Sequence, residues 1–414
     1  MRPVEYVRSL DPRLPRDVWL LQIGGLANAF GNGTVLPFLI IYLHNVRGIP
    51  LGLAGLAAAV NSAAALCSGF VAGSLADRVG PKRVLIASLL GLAVSISLFP
   101  LIRGVPSAYA LQLLMGTCSG AFWPSQSALL TGLASPVQRH NAFAVQRLTM
   151  NLGIALGGVA GGAIARVDHP RTFTVLFLLD AATFLGYALV ATLLPSPRYV
   201  GAERGTYREV VRDGPFVRYV LLNALFITIG MVVFVELLAP YAKNQADVDE
   251  QLIGILWMID SLVVVAAQLP VAKLAEGHRR MHALALAGVL WAGAMLLIGA
   301  AGTWLTATSA FALMAVAVVL FGVGECLHGI VHGPLTADLA PQQLVGRYMA
   351  LGAQSWQVGW IIGPAIGGFV LQHAPNALWP AAAALNLVAA GLALGLERYL
   401  PRAALRAPAA ELAA

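Results

Sequence analysis

The sequence predicts an all-α membrane protein whose twelve transmembrane helices form two six-helix halves that repeat one another. Three observations support this fold class: an apolar composition, twelve apolar segments of spanning length, and a glycine pattern that recurs half a chain later. Of the 414 residues, 58% are hydrophobic and 11% are charged, whereas soluble domains carry about 25% charged residues. A soluble protein of this composition could not cover its surface with polar groups, so the composition indicates a membrane protein.

Twelve apolar segments are long enough to cross a bilayer, which takes about 20 helical residues. The longest polar stretch, residues 196–214, separates segments 6 and 7. We therefore expect an N-terminal six-helix half over 1–195, a cytoplasmic central loop over 196–214, and a C-terminal half over 215–414 with a short cytoplasmic tail. The segments run over residues 18–43, 52–75, 83–102, 106–133, 140–165, 171–195, 216–242, 251–274, 281–301, 306–335, 346–372 and 376–397.

Lysine and arginine residues are distributed unevenly between alternate connections. Of the 26, twenty lie on the side that holds the N-terminus and the central loop, five lie on the other side, and Arg147 lies within segment 5. Such positive residues concentrate on the cytoplasmic side of membrane proteins. The sequence therefore predicts a multi-pass protein of the cell (inner or plasma) membrane with both termini in the cytoplasm.

A glycine-rich stretch in segment 5 recurs in segment 11 at an offset of 206 residues, and segments 2 and 8 align at an offset of 199. Glycines four residues apart share one helix face and remove side chains from it, so a neighbouring backbone can come close. The repeat predicts a bundle built from two copies of one unit, with a substrate pathway between them. The packing positions are Gly153, Gly157, Gly158, Gly161, Gly162, Gly359, Gly363, Pro364, Gly367 and Gly368.

The connection between segments 2 and 3 carries a second motif, which reads Gly73-Ser-Leu-Ala-Asp77-Arg78-Val-Gly80-Pro-Lys82-Arg83. It resembles the loop 2–3 signature of the major facilitator superfamily, with a proline in place of the first residue of the closing basic pair. The resemblance implies the major facilitator fold and a gating loop that latches the two halves together in one access state. The gating candidates are Gly73, Asp77, Arg78, Gly80, Lys82 and Arg83.

The glycine stretch in segment 5 also resembles the antiporter signature of exporters in that superfamily. Gly158 occupies the position of a proline, and the full Gly-Pro form stands in segment 11 as Gly363-Pro364. Arg147 with Asn151 resembles an element of some twelve-helix multidrug antiporters. These resemblances imply a transporter similar to the twelve-helix drug:proton antiporters, in which the two halves rock around a central site.

Several ionisable residues lie inside apolar segments, where a charge costs at least about 2.5 kcal/mol at the bilayer centre. Carboxylates in such surroundings can take up protons, which predicts proton coupling in the second half. The alternative is a structural role, in which a buried carboxyl group bonds to a histidine, arginine or amide; Asp180 in segment 6 is assigned to this role. The proton-coupling candidates are Glu236, Asp260, Glu325 and His328.

Polar and aromatic residues on several segments predict a mixed substrate cavity, although many could instead form hydrogen bonds between helices or lie at the membrane interface. Arg147 could pair with an acid or contact an anionic substrate. His328 and His332 are four residues apart, but a metal needs more ligands, so we expect no metal and no cofactor. The cavity candidates are Asn28, Asn32, Asn61, Trp123, Gln126, Gln146, Arg147, Asn151, Trp257, His332, Gln354, Trp356 and Gln357.

The sequence has no nucleophile triad, phosphate-binding loop, zinc spacing or ATP motif, so we do not expect an enzyme. The resemblances favour proton-coupled efflux of small amphipathic compounds, by a multidrug-type antiporter that functions as a monomer. Its partners would be a small-molecule substrate, protons and the lipid bilayer, and no nucleic acid. One alternative is a proton symporter that imports a metabolite such as a sugar or organic anion. Another is a membrane sensor or chaperone that uses the fold without transport.

Overall fold

The computed structural model describes residues 14–135, 138–196, 207–341 and 344–406. These residues form twelve long helices, which confirms the all-helical class, and a short helix Tyr207–Arg212 lies in the stretch that was expected to be a loop. Within that central stretch, residues 197–206 lie outside the described residues, as does the tail beyond 406. Helices α1 to α12 are Arg16–Val46, Leu51–Val79, Pro81–Leu101, Val105–Leu133, Arg139–Ile164, Arg171–Leu193, Gly214–Ala246, Glu250–Ala275, Arg280–Trp304, Ala307–Leu339, Val345–His373 and Pro375–Leu396.

Within the described residues, nine helices are long and apolar enough to cross a membrane by length and composition. The other three, α4, α5 and α11, carry more polar side chains along the same length. They hold Gln126, Gln146, Arg147, Gln354 and Gln357. The least apolar helices are therefore the ones on which the sequence places most of the predicted cavity.

Contacts between residues divide the chain into two compact units. Unit 1 comprises Met1–Leu36 and Ala63–Ala202, and unit 2 comprises Pro37–Ser62 and Glu203–Ala414. The boundary inside α1 coincides with a 3₁₀ turn at Leu36–Phe38, where Pro37 lacks the N–H group that a regular helix requires. The end of α1 and the start of α2 therefore belong to unit 2 by their contacts.

In unit 1, the glycines bring the backbones of α1 and α5 into direct contact. A Cβ atom on Gly157 would lie 2.1 Å from the carbonyl oxygen of Phe30, and one on Gly33 would lie 2.5 Å from the carbonyl oxygen of Ile154. Real Cβ atoms do not come this close, so only glycine fits at either position. The close approach that the glycine spacing predicts is thus present between these two helices.

In unit 2, α11 packs on α7 through the second copy of the same stretch. A Cβ atom on Gly363 would lie 2.7 Å from Val232 Cγ1 and 3.2 Å from the carbonyl oxygen of Thr228. This approach is looser than its counterpart, because the nearest atom belongs to a side chain. α7 takes a π-helical form over Ile227–Val232, at this contact, and such irregular turns concentrate at functional sites.

The motif between α2 and α3 is mostly helical, because α2 continues to Val79 and Gly80 alone makes the turn, with φ of +92°. Gly277 makes the corresponding turn between α8 and α9, with φ of +69°. Both angles lie in the left-handed region that favours glycine. The predicted tight turn at Gly80 is therefore present, and the second half has its own version.

Lys82 follows this turn, and its side chain donates hydrogen bonds to carbonyl groups at the end of α6. Its Nζ atom donates to the carbonyl oxygen of Thr192 at 2.7 Å and to that of Leu194, and lysines often bond the last carbonyl groups of a helix in this way. In unit 2, Arg280 lies at the start of α9, and its Nη1 atom donates to the carbonyl oxygen of Ala404 at 3.4 Å. The side chain of Asp77 lies outside the described part, so the gating role of this motif stays a prediction.

Candidate functional site

A small cleft in unit 1 gathers five of the predicted cavity residues. It lies between α1, α4 and α5, and its volume is about 60 Å³. Its lining contains amide, hydroxyl, thioether and aromatic groups but no charged side chain. The predicted members that line it are Asn28, Asn32, Trp123, Gln126 and Gln146.

The cleft forms because each contributing helix carries a polar stripe at helical spacing. On α1, Gln22, Gly25, Asn28 and Asn32 all line it, and residues three and four apart share one helix face. At one end, Gln22 Nε2 donates to the carbonyl oxygen of Ala142 on α5 at 3.0 Å. The amide stripe of α1 is therefore fixed against α5 and faces α4.

Two amide oxygens in this cleft have no hydrogen-bond partner within the described residues, Asn28 Oδ1 and Gln126 Oε1. Both side chains are buried. Gln126 Nε2 donates to the hydroxyl of Tyr187 at 2.8 Å, which orients the amide. Tyr187 was not predicted, since its contact with α4 depends on how α6 packs in the folded unit.

Three other first-half candidates lie outside the cleft. Arg147 is exposed and Asn151 is partly exposed on α5, on a face next to the one that lines the cleft. Asn61 is partly exposed on the part of α2 that belongs to unit 2.

Asp180 on α6 is buried against α1, with an exposed fraction of 1%. A Cβ atom on Gly31 would lie 2.6 Å from Asp180 Oδ1. Thr183 Oγ1 lies 3.4 Å from that same oxygen, and Asp180 Oδ2 has no partner within the described residues. The histidine, arginine or amide partner expected from the sequence is therefore not present there. Because an unpaired buried charge is costly, the neutral acid is the form that fits this site.

Replacing Asp180 with asparagine is expected to leave the midpoint of thermal unfolding unchanged or higher, because a carboxamide has nearly the shape of a neutral carboxyl group. Asp180→Lys is the matched contrast and should lower the midpoint sharply, since it buries a larger, charged group. Both are measured on purified protein in detergent. A large loss with asparagine would show that the group is ionised and held by other contacts.

In unit 2, α8 and α10 bring two proton-coupling candidates together. Asp260 Oδ1 lies 3.3 Å from the position of a Cβ atom on Gly322, and Glu325 follows Gly322 on the same face of α10. Asp260 Oδ1 is buried and has no hydrogen-bond partner in the described part of the chain. The two acids thus form a pair on facing helices.

Glu236 lies on α7 as a partly exposed residue. Its carboxyl group has no hydrogen bond or ion pair to any residue that the structure describes. The described residues thus offer this acid no partner that would give it a structural role. Glu236 therefore keeps its place as a proton-coupling candidate.

His328 is buried on α10 and connects three helices. Its Nε2 atom lies 2.8 Å from Asn223 Oδ1 on α7, and Asn223 Nδ2 donates to Ser355 Oγ on α11 at 2.6 Å. Because the asparagine oxygen can only accept, His328 Nε2 carries a hydrogen. Asn223 and Ser355 were not predicted, and the available signal was their polarity within apolar segments.

His332 and Trp356, both predicted, lie beside His328. The two imidazole rings stack with their centroids 5.6 Å apart, and the Trp356 ring lies 5.9 Å from His328 and 6.1 Å from His332. Tyr219 OH lies 3.0 Å from His332 Nδ1. Within the described residues, no group of three or more histidine, cysteine or acidic residues is placed to hold a metal.

The remaining second-half candidates lie on α8 and α11. Trp257 is buried, and neither its Nε1 atom nor Gln354 Oε1 has a hydrogen-bond partner within the described ranges. Gln357 is partly exposed. The predicted cavity residues thus fall into two sets, and the amide cleft of unit 1 is the better defined.

Comparison with known proteins identifies the family. The sequence matches the Major Facilitator Superfamily over residues 21–305 and 220–412. It is 25% identical over 397 residues to the multidrug resistance protein MdtH of Escherichia coli strain K12, covering 94% of this chain and 96% of that protein. It is 24% identical over 365 residues to YqjV, an uncharacterized MFS-type transporter of Bacillus subtilis, covering 85% of this chain and 86% of that one.

Solved structures share the fold. The peptide transporter POT in complex with sulfate superimposes with a TM-score of 0.79 at 17% identity, covering 95% of this chain and 96% of its own. A bacterial homologue of the human lysosomal transporter Spinster gives 0.72 at 12% identity, covering 95% and 98%. Together with the two family matches along the sequence, these likenesses show that the chain belongs to the major facilitator superfamily of membrane transporters.

Proposed function

We propose that this protein exports small amphipathic compounds in exchange for protons, by alternating access of its two halves. Membership of the superfamily makes it a membrane transporter of small molecules. The likeness to MdtH, which is named for multidrug resistance, supports efflux as the direction. The observation that carries proton coupling is the placement of two acidic residues on facing helices of unit 2, where Asp260 on α8 meets Gly322 on α10, one turn before Glu325.

The pair is suited to carry a proton because of where it lies. Ionisable groups within membrane helices are expensive, and they commonly mark proton relays. Like charges on two facing carboxyl groups repel one another, so one proton held by the pair relieves the repulsion. Uptake of that proton on one side of the membrane and its release on the other would drive the substrate in the opposite direction. His328 and Glu236 are the further candidates for this relay.

Export in exchange for protons requires a defined orientation of the protein in the membrane, and the distribution of lysine and arginine favours one orientation. Lysine and arginine lie mainly on the side of the N-terminus and the central stretch, which supports cytoplasmic termini. We further propose that the protein works as a monomer. The gating motif would latch the two halves, taken as residues 1–195 and 215–414 around the central stretch.

Neutral variants of the acidic pair are expected to abolish substrate movement driven by a pH gradient. Asp260→Asn and Glu325→Gln keep the shape of each side chain but cannot exchange a proton. Purified protein is reconstituted into lipid vesicles, which are loaded with ethidium as the amphipathic probe. A pH gradient is then imposed, and the ethidium flux is compared with that of vesicles without protein. Glu276→Gln, at an exposed position just beyond α8, is the control and should keep its flux.

The same assay separates the alternatives. If the Asp260→Asn, Glu325→Gln and Glu236→Gln variants all keep full gradient-driven flux, the proposed proton site is wrong. Ethidium movement in the same direction as protons would indicate a symporter. Binding of the probe without flux under any gradient would favour a sensor or chaperone.

A further inference from the structure

We propose that the amide cleft of unit 1 binds the N–H head group of a compound, an amine or a primary amide, whose aromatic body contacts Trp123. The inference names the substrate class of the proposed exporter, and in that sense it rests on the proposed function. Binding can be measured without transport, so the two proposals can fail separately.

The unpartnered oxygens set the chemistry of the head group. Asn28 and Gln126 are 6% and 4% exposed, and their side-chain oxygens lack a hydrogen-bond partner within the described residues. A buried acceptor left unpaired is costly, and a hydrogen bond to it removes that cost. A ligand that brings N–H donors is therefore favoured, and one that brings only acceptors is disfavoured.

The acceptor at Gln126 is held in place before any ligand arrives. Its nitrogen donates to Tyr187 OH at 2.8 Å, and Tyr187 is itself buried. The ring of Tyr187 packs so closely on α1 that a Cβ atom on Gly24 would lie 2.3 Å from Tyr187 Cδ2. Since neither partner can rotate freely, the amide oxygen stays available, and this preorganisation favours binding.

The cleft is large enough for the head group of the ligand but not for its aromatic body, which must lie outside the cleft. A volume of about 60 Å³ accommodates about two water-sized groups, which suits an ammonium or amide group but not an aromatic ring. Trp123 lies at the rim with an exposed fraction of 49%, next to Phe122 at a ring-centroid distance of 5.1 Å. An aromatic body can stack there while its head group enters the cleft.

The lining also explains why hydrogen bonds, and not an ion pair, would select the ligand. Among the residues that the structure describes, no charged side chain lines the cleft, and the exposed Arg147 lies outside the lining. A cationic head group is accepted by carbonyl oxygens and by the indole face, but it finds no carboxylate. The number of N–H donors should therefore matter more than the charge.

Three probes test this directly by equilibrium dialysis with the purified full-length protein. Phenethylammonium carries charge and N–H donors, its N,N,N-trimethyl analogue carries charge alone, and 2-phenylacetamide carries N–H donors alone. We expect both N–H probes to bind more tightly than the trimethyl analogue. Asn28→Leu should weaken binding of phenethylammonium by about tenfold or more, and binding of the trimethyl analogue should change less than about twofold.

Further variants keep the test decisive. Gln126→Met, which has a similar shape and no amide, should reproduce the effect if Asn28→Leu does not fold. Trp123→Leu should weaken all three probes, and Thr117→Val, at an exposed position on α4, should change none. Equal affinities of the wild-type protein for the N–H and trimethyl probes would overturn the proposal, as would equal losses for both in the amide variants. Probe selectivity without pH-driven flux would overturn the proposed function alone.

Discussion

Gly157→Ala is expected to destabilise unit 1 by about 3 kcal/mol or more, at the upper end of overpacking effects. The added methyl group would lie 2.1 Å from the carbonyl oxygen of Phe30. No side-chain rotation can relieve a clash with backbone, so α5 has to move away from α1. The gain in helix propensity from glycine to alanine is about 1 kcal/mol, which is too small to offset this. Thermal unfolding of purified protein in detergent measures the loss.

Two other glycine-to-alanine variants serve as comparisons for the loss of stability in Gly157→Ala. Gly186→Ala on α6 meets nothing within 4 Å and should be neutral or slightly stabilising. Gly363→Ala on α11 meets Val232 Cγ1 at 2.7 Å, a side-chain atom that can shift, so its loss should be intermediate. If Gly157→Ala unfolds at the same temperature as Gly186→Ala, the backbone contact between α1 and α5 is not as described.

Trp291→Ala is expected to destabilise unit 2 by about 3–5 kcal/mol, the usual cost of removing a buried tryptophan. Trp291 is fully buried on α9, and its ring lies 5.2 Å from Phe321 and 5.6 Å from His328. Its Nε1 atom donates to the carbonyl oxygen of Phe321 at 3.0 Å. The truncation leaves a cavity beside the histidine network, so denaturant unfolding should show a lower midpoint.

Two control variants show whether the loss of stability comes from the burial of Trp291 or from removing any tryptophan. Trp304→Ala removes the same ring from a position that is 79% exposed, and it should change the stability by about 0.5 kcal/mol or less. Trp291→Phe keeps an aromatic ring and should fall between the two. Equal midpoints for the Trp291→Ala and Trp304→Ala variants would contradict the packing of α9 against α10.

Much of the fold could be predicted from the sequence, because lipid imposes strong rules on composition. Helices that cross a bilayer need long apolar segments, and the glycines at positions such as 157 and 363 show where two helix backbones can approach. The members of the amide cleft could also be found, because Asn28 and Asn32 recur at helical spacing. Arg147 was predicted from its charge and its resemblance to an antiporter element, and its role stays a prediction, because one residue along the helix from Gln146 turns its side chain by about 100°.

The rest depended on how the helices rotate and pack. Nothing local indicates that Tyr187 bonds Gln126, or that Asn223 bonds His328, since each pair joins residues far apart in the chain. Asp180 was expected to bond a histidine, arginine or amide, yet it packs on Gly31 and bonds only the hydroxyl of Thr183 among the described residues, because α6 presents that face to α1. Lys82 was predicted from its motif to act in gating, and only the folded unit reveals its contact with the end of α6.

The interlocked backbones of α1 and α5 limit how the amide cleft can change shape. These two helices cannot slide past one another without driving a side chain into a carbonyl group, so they must move as one piece. α4, by contrast, contains Pro124 between Trp123 and Gln126, and a proline weakens a helix where it removes a backbone hydrogen bond. Compounds larger than the cleft would then require α4 to bend at this proline, and the resistance of α4 to bending there would set the upper limit on their size.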